Sequence, residues 1–309
     1  MSRTTTVPAE NRAYTYFVAG IIICLCGSIC FSTKAIFVKL AYRETSVDAV
    51  TLLALRMIFS LPFFMISAWW SSSQSTNVRF TSMQWLAVAA IGCLGYYVSS
   101  LLDFIGLQYV SAGIERLILF IYPTLVLLMS AVIFKIKIKG PQWAALAITY
   151  AGLIVAFWGE ANFEGQSKNF YLGAASIFVC AVTYAMYIVG SGKLIPIVGA
   201  AKFNSYAMSF AALAVIIHFF VNNDNSLLNL DRQVYIYSFS MAIIGTVIPS
   251  YLVAFGIKRV GSGNAAIIGS IGPISTIVQA YFFLQEPIHA LQLLGTALIL
   301  TGILIISKK

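Results

Sequence analysis

Long apolar runs, one after another with short polar breaks, constrain this chain more than any other feature. They extend over Phe17 to Leu40, Val47 to Trp70, Met83 to Gly106, Ser111 to Phe134, Gln142 to Trp158, Phe170 to Gly190, Asn204 to Val221, Val234 to Ile257, Gly263 to Leu284 and Ile288 to Ile306. A helix that crosses the hydrocarbon of a bilayer needs roughly 20 apolar residues, and each run meets or approaches that length. With 309 residues, 60% hydrophobic and 9% charged, the chain carries more apolar surface than one water-soluble core can bury. In lipid, a helix satisfies its own backbone polar groups. The expected fold is therefore all-α and integral to a membrane, with ten transmembrane helices and little room for a separate soluble domain.

The formal net charge is +9, yet the basic residues fall singly or in short groups between apolar runs. A nucleic-acid surface would gather them on one solvated face, so the expected partner is the bilayer and not nucleic acid. If the runs are threaded alternately, Arg3, Arg12, Arg79, Lys135, Lys137, Lys139, Lys193, Lys202, Lys258, Arg259, Lys308 and Lys309 lie on one side, against Lys39, Arg43, Lys168 and Arg232 on the other. Basic residues are retained in the cytoplasm, which predicts both termini there. The polar stretch Met1 to Thr15 enters the first run without a small-residue cleavage site, so that run is expected to remain as a span. Cys24, Cys26, Cys30, Cys93 and Cys180 all lie within runs and form no CxxC pair, which reads as free thiols. His218 and His289 are isolated from other ligand types, and no phosphate-cradling GxxxxGK[ST] or GxSxG element is present. No cofactor, metal or catalytic set is expected.

The chain also repeats itself. A shift of 150 residues superposes Gly95 on Gly245, Ser100 on Ser250, Gly106 on Gly256, Gly113 on Gly263, Pro123 on Pro273, Gln142 on Gln292 and Gly152 on Gly302 without a gap. A tail at 1–16 thus precedes two units, 17–158 and 170–306, of five helices each. Five is odd, so the second unit must enter the membrane in the opposite sense. Inverted repeats of this kind place a solute site between the halves near midplane.

The segment CGSICFSTKAIFVKLAY, the arginine of LALRM in the next run and the closing FFLQEPIHALQLLGTALILTGILII resemble the EamA branch of the drug/metabolite transporter superfamily. The resemblance covers Phe17 to Ile306 as two copies. It implies ten helices with cytoplasmic termini and transport of amino acids, nucleotide-linked metabolites or toxic compounds. The glutamate and glycine of the closing motif match Glu286 and Gly302; in the first copy the glutamate position holds Ile136.

Five ionisable residues fall within the runs: Lys34, Arg56, Asp103, Glu115 and Arg116. At about 3 kcal/mol each on insertion scales, they must face protein or water and find partners. Counted from the run ends, Asp103, Glu115 and Arg116 sit about one turn below the outer surface, whereas Arg56 sits nearest midplane with no carboxylate at its depth. The second half offers Tyr184, Tyr187, Ser250, Tyr251, Asn264 and Gln279 instead. The expected substrate site joins Arg56 and Lys34 with Tyr184, Tyr187, Tyr251, Asn264 and Gln279; Asp103, Glu115 and Arg116 are candidates for a gate or for proton coupling. A structural ion-pair network is the alternative. Pro123 and Pro273 are candidate kinks. Gly152 and Gly159, with Gly295 and Gly302, would allow close helix contact. Three cations against two carboxylates favour an anionic or zwitterionic solute. The functional expectation is a secondary transporter, not an enzyme, moving a small metabolite or drug-like solute across the cytoplasmic membrane by alternating access. A proton is the candidate coupling ion, and oligomeric state is left unassigned. A lipid flippase or scramblase, or an intramembrane enzyme, is the alternative.

Overall fold

The computed structural model describes residues 9–75, 77–110, 112–135, 137–157, 169–222, 227–285 and 290–307. Helix is the regular structure of these residues: α1 Ala9–Glu44, α2 Ala49–Ser73, α3 Ser82–Gly92, α4 Ser99–Tyr109, α5 Ala112–Leu119, α6 Tyr122–Phe134, α7 Gly140–Phe157, α8 Phe170–Val198, α9 Ala200–Asn222, α10 Arg232–Ala242, α11 Ile248–Val260, α12 Ser262–Ile268, α13 Ile271–Leu284 and α14 Ala290–Ser307. Two π-helical segments, Cys93–Val98 and Ile243–Val247, join α3 to α4 and α10 to α11. Among the described residues, seven helical stretches are long and apolar enough to cross a membrane, with α3–α4, α10–α11 and α12–α13 each taken as one. The run expected over Ser111 to Phe134 is divided between α5 and α6, and α7 and α14 have 18 residues each.

Local chemistry sets the helix starts. The carboxylate of Asp48 accepts from the N–H groups of Val50 and Thr51 at 2.9 Å, capping α2. Thr81 and Gln84 form a reciprocal capping box on α3. Large apolar side chains such as Trp69, Trp70, Val132, Phe220 and Phe282 point outward. In water such a surface would drive aggregation; against lipid it has its solvent.

The irregularities recur at the spacing of the sequence repeat. The π segments begin at Cys93 and Ile243, and a left-handed residue ends α6 at Lys135 (φ 53°) and α13 at Gln285 (φ 59°). Turns at Phe120–Ile121 and Gly269–Ser270 interrupt α5–α6 and α12–α13. Pro123 and Pro273 follow these turns within the first helical turn of α6 and α13, where a missing N–H costs nothing. The expected kinks are therefore full interruptions: each proline begins a new helix and does not bend a continuous one.

Packing between the halves is reciprocal. Helix α1 lies against α11 and α13, while α8 lies against α4 and α6; α2 meets α9, and α7 meets α14. Contacts in which element i meets j and j meets i are those of two like units about a two-fold axis. The α7–α14 contact is glycine-dependent, because a Cβ on Gly152 would lie 2.6 Å from the Gly295 carbonyl oxygen. The small-residue contact expected from sequence thus forms within one chain. Gly159, along with Glu286, Ile136, Trp158, Lys168 and His289, lies outside the described residues.

Candidate functional site

A cavity of about 70 Å³, counted as space for the centres of water molecules, is lined by α1, the first π segment, α4, α5 and α6 about their turn, α8, α11 and the start of α13 with the turn before it. Ser28, Phe31 and Ser32 reach it from one face of α1, at i, i+3 and i+4. Tyr96, Ser99 and Ser100 reach it from the π segment and the turn that follows. A π segment inserts an extra residue per turn and re-aims the side chains beyond it. Gly95 leaves the room that the Tyr187 ring occupies, since any Cβ there would collide with it. Gly269 does the same for the Tyr122 hydroxyl, which donates to the Ala266 carbonyl at 3.1 Å.

Rings wall much of the space. Tyr122 meets Tyr184 edge-on at 5.3 Å between centroids, Tyr96 meets Tyr187 edge-on at 4.9 Å, and Phe31 lies 6.3 Å from Tyr96 and 6.2 Å from Tyr184. Two cations complete the lining, Lys34 and Arg116. Lys34 Nζ stands 2.5 Å from Asp103 Oδ2 and 5.6 Å from the centre of the Phe31 ring. Arg116 Nε stands 3.0 Å from Glu115 Oε2. Asp103 and Glu115 are fully buried. Neither carboxyl is among the residues lining the cavity. The cations therefore face the space and their counter-charges stand behind them.

The expectation that Asp103, Glu115 and Arg116 form an outer group separate from Lys34 does not hold: the four make one cluster. Counting rise along the helix measures Cα depth, and the four-carbon arm of a lysine spans the difference. Arg56 is also buried, at 1% exposure, with its guanidinium 5.0 Å from the Phe104 ring centre. Among the described residues its Nε and Nη2 have no hydrogen-bond acceptor. Arg56 does not line the cavity.

The other expected site residues divide. Tyr184 and Pro273 line the cavity, and Tyr187 stands behind Tyr96. Tyr251, Asn264 and Gln279 lie elsewhere. The Tyr251 hydroxyl meets Ser205 Oγ at 2.8 Å, and Asn264 Oδ1 accepts from Gln142 Nε2 at 3.2 Å beside a separate recess near Lys137 and Lys193. Gln279 Nε2 donates to Ser275 Oγ at 2.7 Å. Residues that sequence reading passed over include Ser28, Ser32, Ser99, Tyr96 and Tyr122. The spacing of Ser28 and Ser32 on one face of an otherwise apolar helix was the available signal.

Hydrogen bonds tie the helices on either side of the cavity. At one end Lys39 Nζ donates to the Leu107 and Val110 carbonyls at 3.1 and 2.8 Å, and Tyr42 donates to the Phe104 carbonyl at 3.1 Å, joining α1 to α4. At the other, Ser205 Oγ donates to Ser67 Oγ at 2.9 Å, Asn204 Nδ2 donates to Ser250 Oγ at 3.0 Å and Ser72 meets Tyr206 at 2.8 Å, joining α9 to α2 and α11.

The model of the EamA-like transporter family matches residues 18–158 and again 171–308. "Uncharacterized transporter YcbK" of Bacillus subtilis (strain 168) is 34% identical over 287 residues, covering 90% of this chain and 89% of that protein. "Uncharacterized transporter YyaM" of the same organism is 22% identical over 232 residues, covering 75% of each. A solved crystal structure superposes with a TM-score of 0.73 at 18% identity, covering 94% of this chain and 98% of its own, which is a likeness of fold. With two family matches over nearly its whole length, an all-helical fold and seven helices able to cross a bilayer, this chain belongs to the EamA-like transporter family and is a multi-pass membrane protein.

Proposed function

We propose that the chain is a secondary transporter that carries a small organic anion, with an apolar or aromatic body, across the cytoplasmic membrane by alternating access. The observation behind this reading is the placement of Lys34 and Arg116 in a cavity walled by rings, with both neighbouring carboxyls turned away from the space. A guanidinium and an ammonium converging on one space suit a carboxylate, sulfonate or phosphate. Rings and serine hydroxyls provide apolar contact and orientation for the rest of the solute. The lining contains no acidic side chain to hold an ammonium, so the anionic class is favoured over the zwitterionic one.

The arrangement we propose has ten spans in two inverted five-helix units, 17–158 and 170–306, with both termini cytoplasmic. The reciprocal helix contacts, the irregularities repeated at one spacing and the one-sided distribution of basic residues support it. In this reading, the hydrogen-bonded ends above and below the cavity open in turn.

Purified protein in liposomes preloaded with benzenesulfonate or phenylpyruvate, both ionised at neutral pH, tests the reading through counterflow of the labelled anion. Lys34→Met and Arg116→Met are expected to lower the initial rate at least tenfold, about 1.4 kcal/mol or more. Rates that equal wild type in both variants, or counterflow of neutral benzyl alcohol derivatives in preference to the anions, would remove the anion reading.

A further inference from the structure

The two carboxyls behind the cavity lead to a rule of coupling, which rests on the anion-transport reading above. Asp103 of α4 and Glu115 of α5 are fully buried, and each is paired with one cation of the cavity wall, Asp103 with Lys34 at 2.5 Å and Glu115 with Arg116 at 3.0 Å. Two carboxylates against these two cations leave the four groups without net charge. Facing the pair are Lys34 and Tyr42 of α1, Arg56 of α2, Arg116 of α5 and the Cys180 thiol of α8. Of the cations, Lys34 and Arg116 are each held by one member of the pair and each also lines the cavity. The same two cations cannot serve both the pair and a solute anion in full.

We propose that a proton and an anionic solute bind together at this site, one proton for each monoanion, which makes the protein a proton–anion symporter. As the anion takes Lys34 and Arg116, the two carboxylates lose their counter-charge beside a further negative group. One proton from solution then forms an O–H bond on one of them. The bonds that change are hydrogen bonds and this one O–H. Before loading, the two carboxylates carry two negative charges; after loading, the solute carries one and the pair keeps the other. The charge of the whole cluster is unchanged, so loading adds no new buried charge, which would be costly in lipid. A cationic solute would need the carboxylates themselves, but those groups are not at the cavity wall.

Calorimetric titration of the protein in nanodiscs with benzoate, at one neutral pH in two buffers of different ionisation enthalpy, counts the protons exchanged on binding. The expected result is uptake of about one proton per benzoate, with affinity rising up to about tenfold for each unit by which pH falls. The double variant Asp103→Asn/Glu115→Gln, which keeps the shape of both groups, is expected to bind benzoate with no proton uptake and no dependence on pH. Benzoate binding to the wild type with no exchange, or with proton release, overturns the coupling and leaves the transport reading standing. Failure of both benzoate and benzenesulfonate to bind, whether or not neutral benzamide does, overturns the anion site on which the coupling rests.

Discussion

Arg56 shows how an unfavourable residue can report on function. Its guanidinium is buried, lies over the face of Phe104 and leaves two nitrogens without acceptors. A cation–π contact returns about 2 kcal/mol when desolvated, less than the several kcal/mol that burying an ion costs. Arg56→Met is therefore expected to keep or raise the melting temperature while lowering transport about tenfold or more, if the guanidinium serves a step in which Asp103 or the solute becomes its acceptor. Melting temperature and initial rate, taken on one preparation, check this; a large drop in stability with the rate per folded molecule intact would make Arg56 a structural residue. That the five ionisable residues would be buried against protein was legible in the sequence, because each is expensive in lipid. Their pairing was not. Which carboxylate meets Lys34 depends on side-chain reach and on the interruption at Phe120–Ile121, and neither shows in a count of residues along an apolar run.

Among the elements, α7 and α14 form a unit that supports the site without touching it. Their backbones approach at Gly152, and a Cβ at Gly302 would collide with the Thr149 hydroxyl and lie 2.9 Å from the Ala145 carbonyl oxygen. Neither helix contributes to the cavity lining. Gly152→Val must push the helices apart, an overpacking that costs about 1–3 kcal/mol. A melting temperature lowered by several degrees, with transport per folded molecule close to wild type, is the expected outcome. An unchanged melting temperature would show that the close approach is not needed. Glycines seven residues apart pointed to a close helix contact, but the sequence did not say whether α7 meets α14 of its own chain or of a second one. The prolines were read less well: Pro123 and Pro273 in apolar runs look alike whether they bend a helix or restart one, and the difference lies in the turns at Phe120–Ile121 and Gly269–Ser270.

For the molecule as a whole, the proposed alternating access requires that the two hydrogen-bonded ends of the cavity open one at a time. On the α2–α9 side the closing groups include the neutral Ser67, Asn204, Ser205, Ser250 and Tyr251, with Lys202 Nζ donating to Asn77 Oδ1 at 2.7 Å farther out. Ser250 lies one turn before Val253, which lines the cavity, so loosening this end should admit water to the site. Each neutral hydrogen bond contributes about 0.5–1.5 kcal/mol, so losing two would shift an open–closed equilibrium by about one to two powers of ten. Cys180 provides the reporter, since its thiol lines the cavity and meets Ser99 Oγ at 3.3 Å. In a protein where Cys180 is the sole cysteine, Asn204→Ala with Ser205→Ala should speed its reaction with a small charged methanethiosulfonate from the α2–α9 side about tenfold or more. In the proposed topology that side, with Arg79 and Lys202, faces the cytoplasm. Labelling from the opposite face should slow, because a population moved toward one opening is withdrawn from the other. Right-side-out and inverted vesicles separate the two rates. Faster labelling from both faces would mean that the variant has become a leak, and an unchanged rate from the α2–α9 side would show that these bonds do not hold a gate.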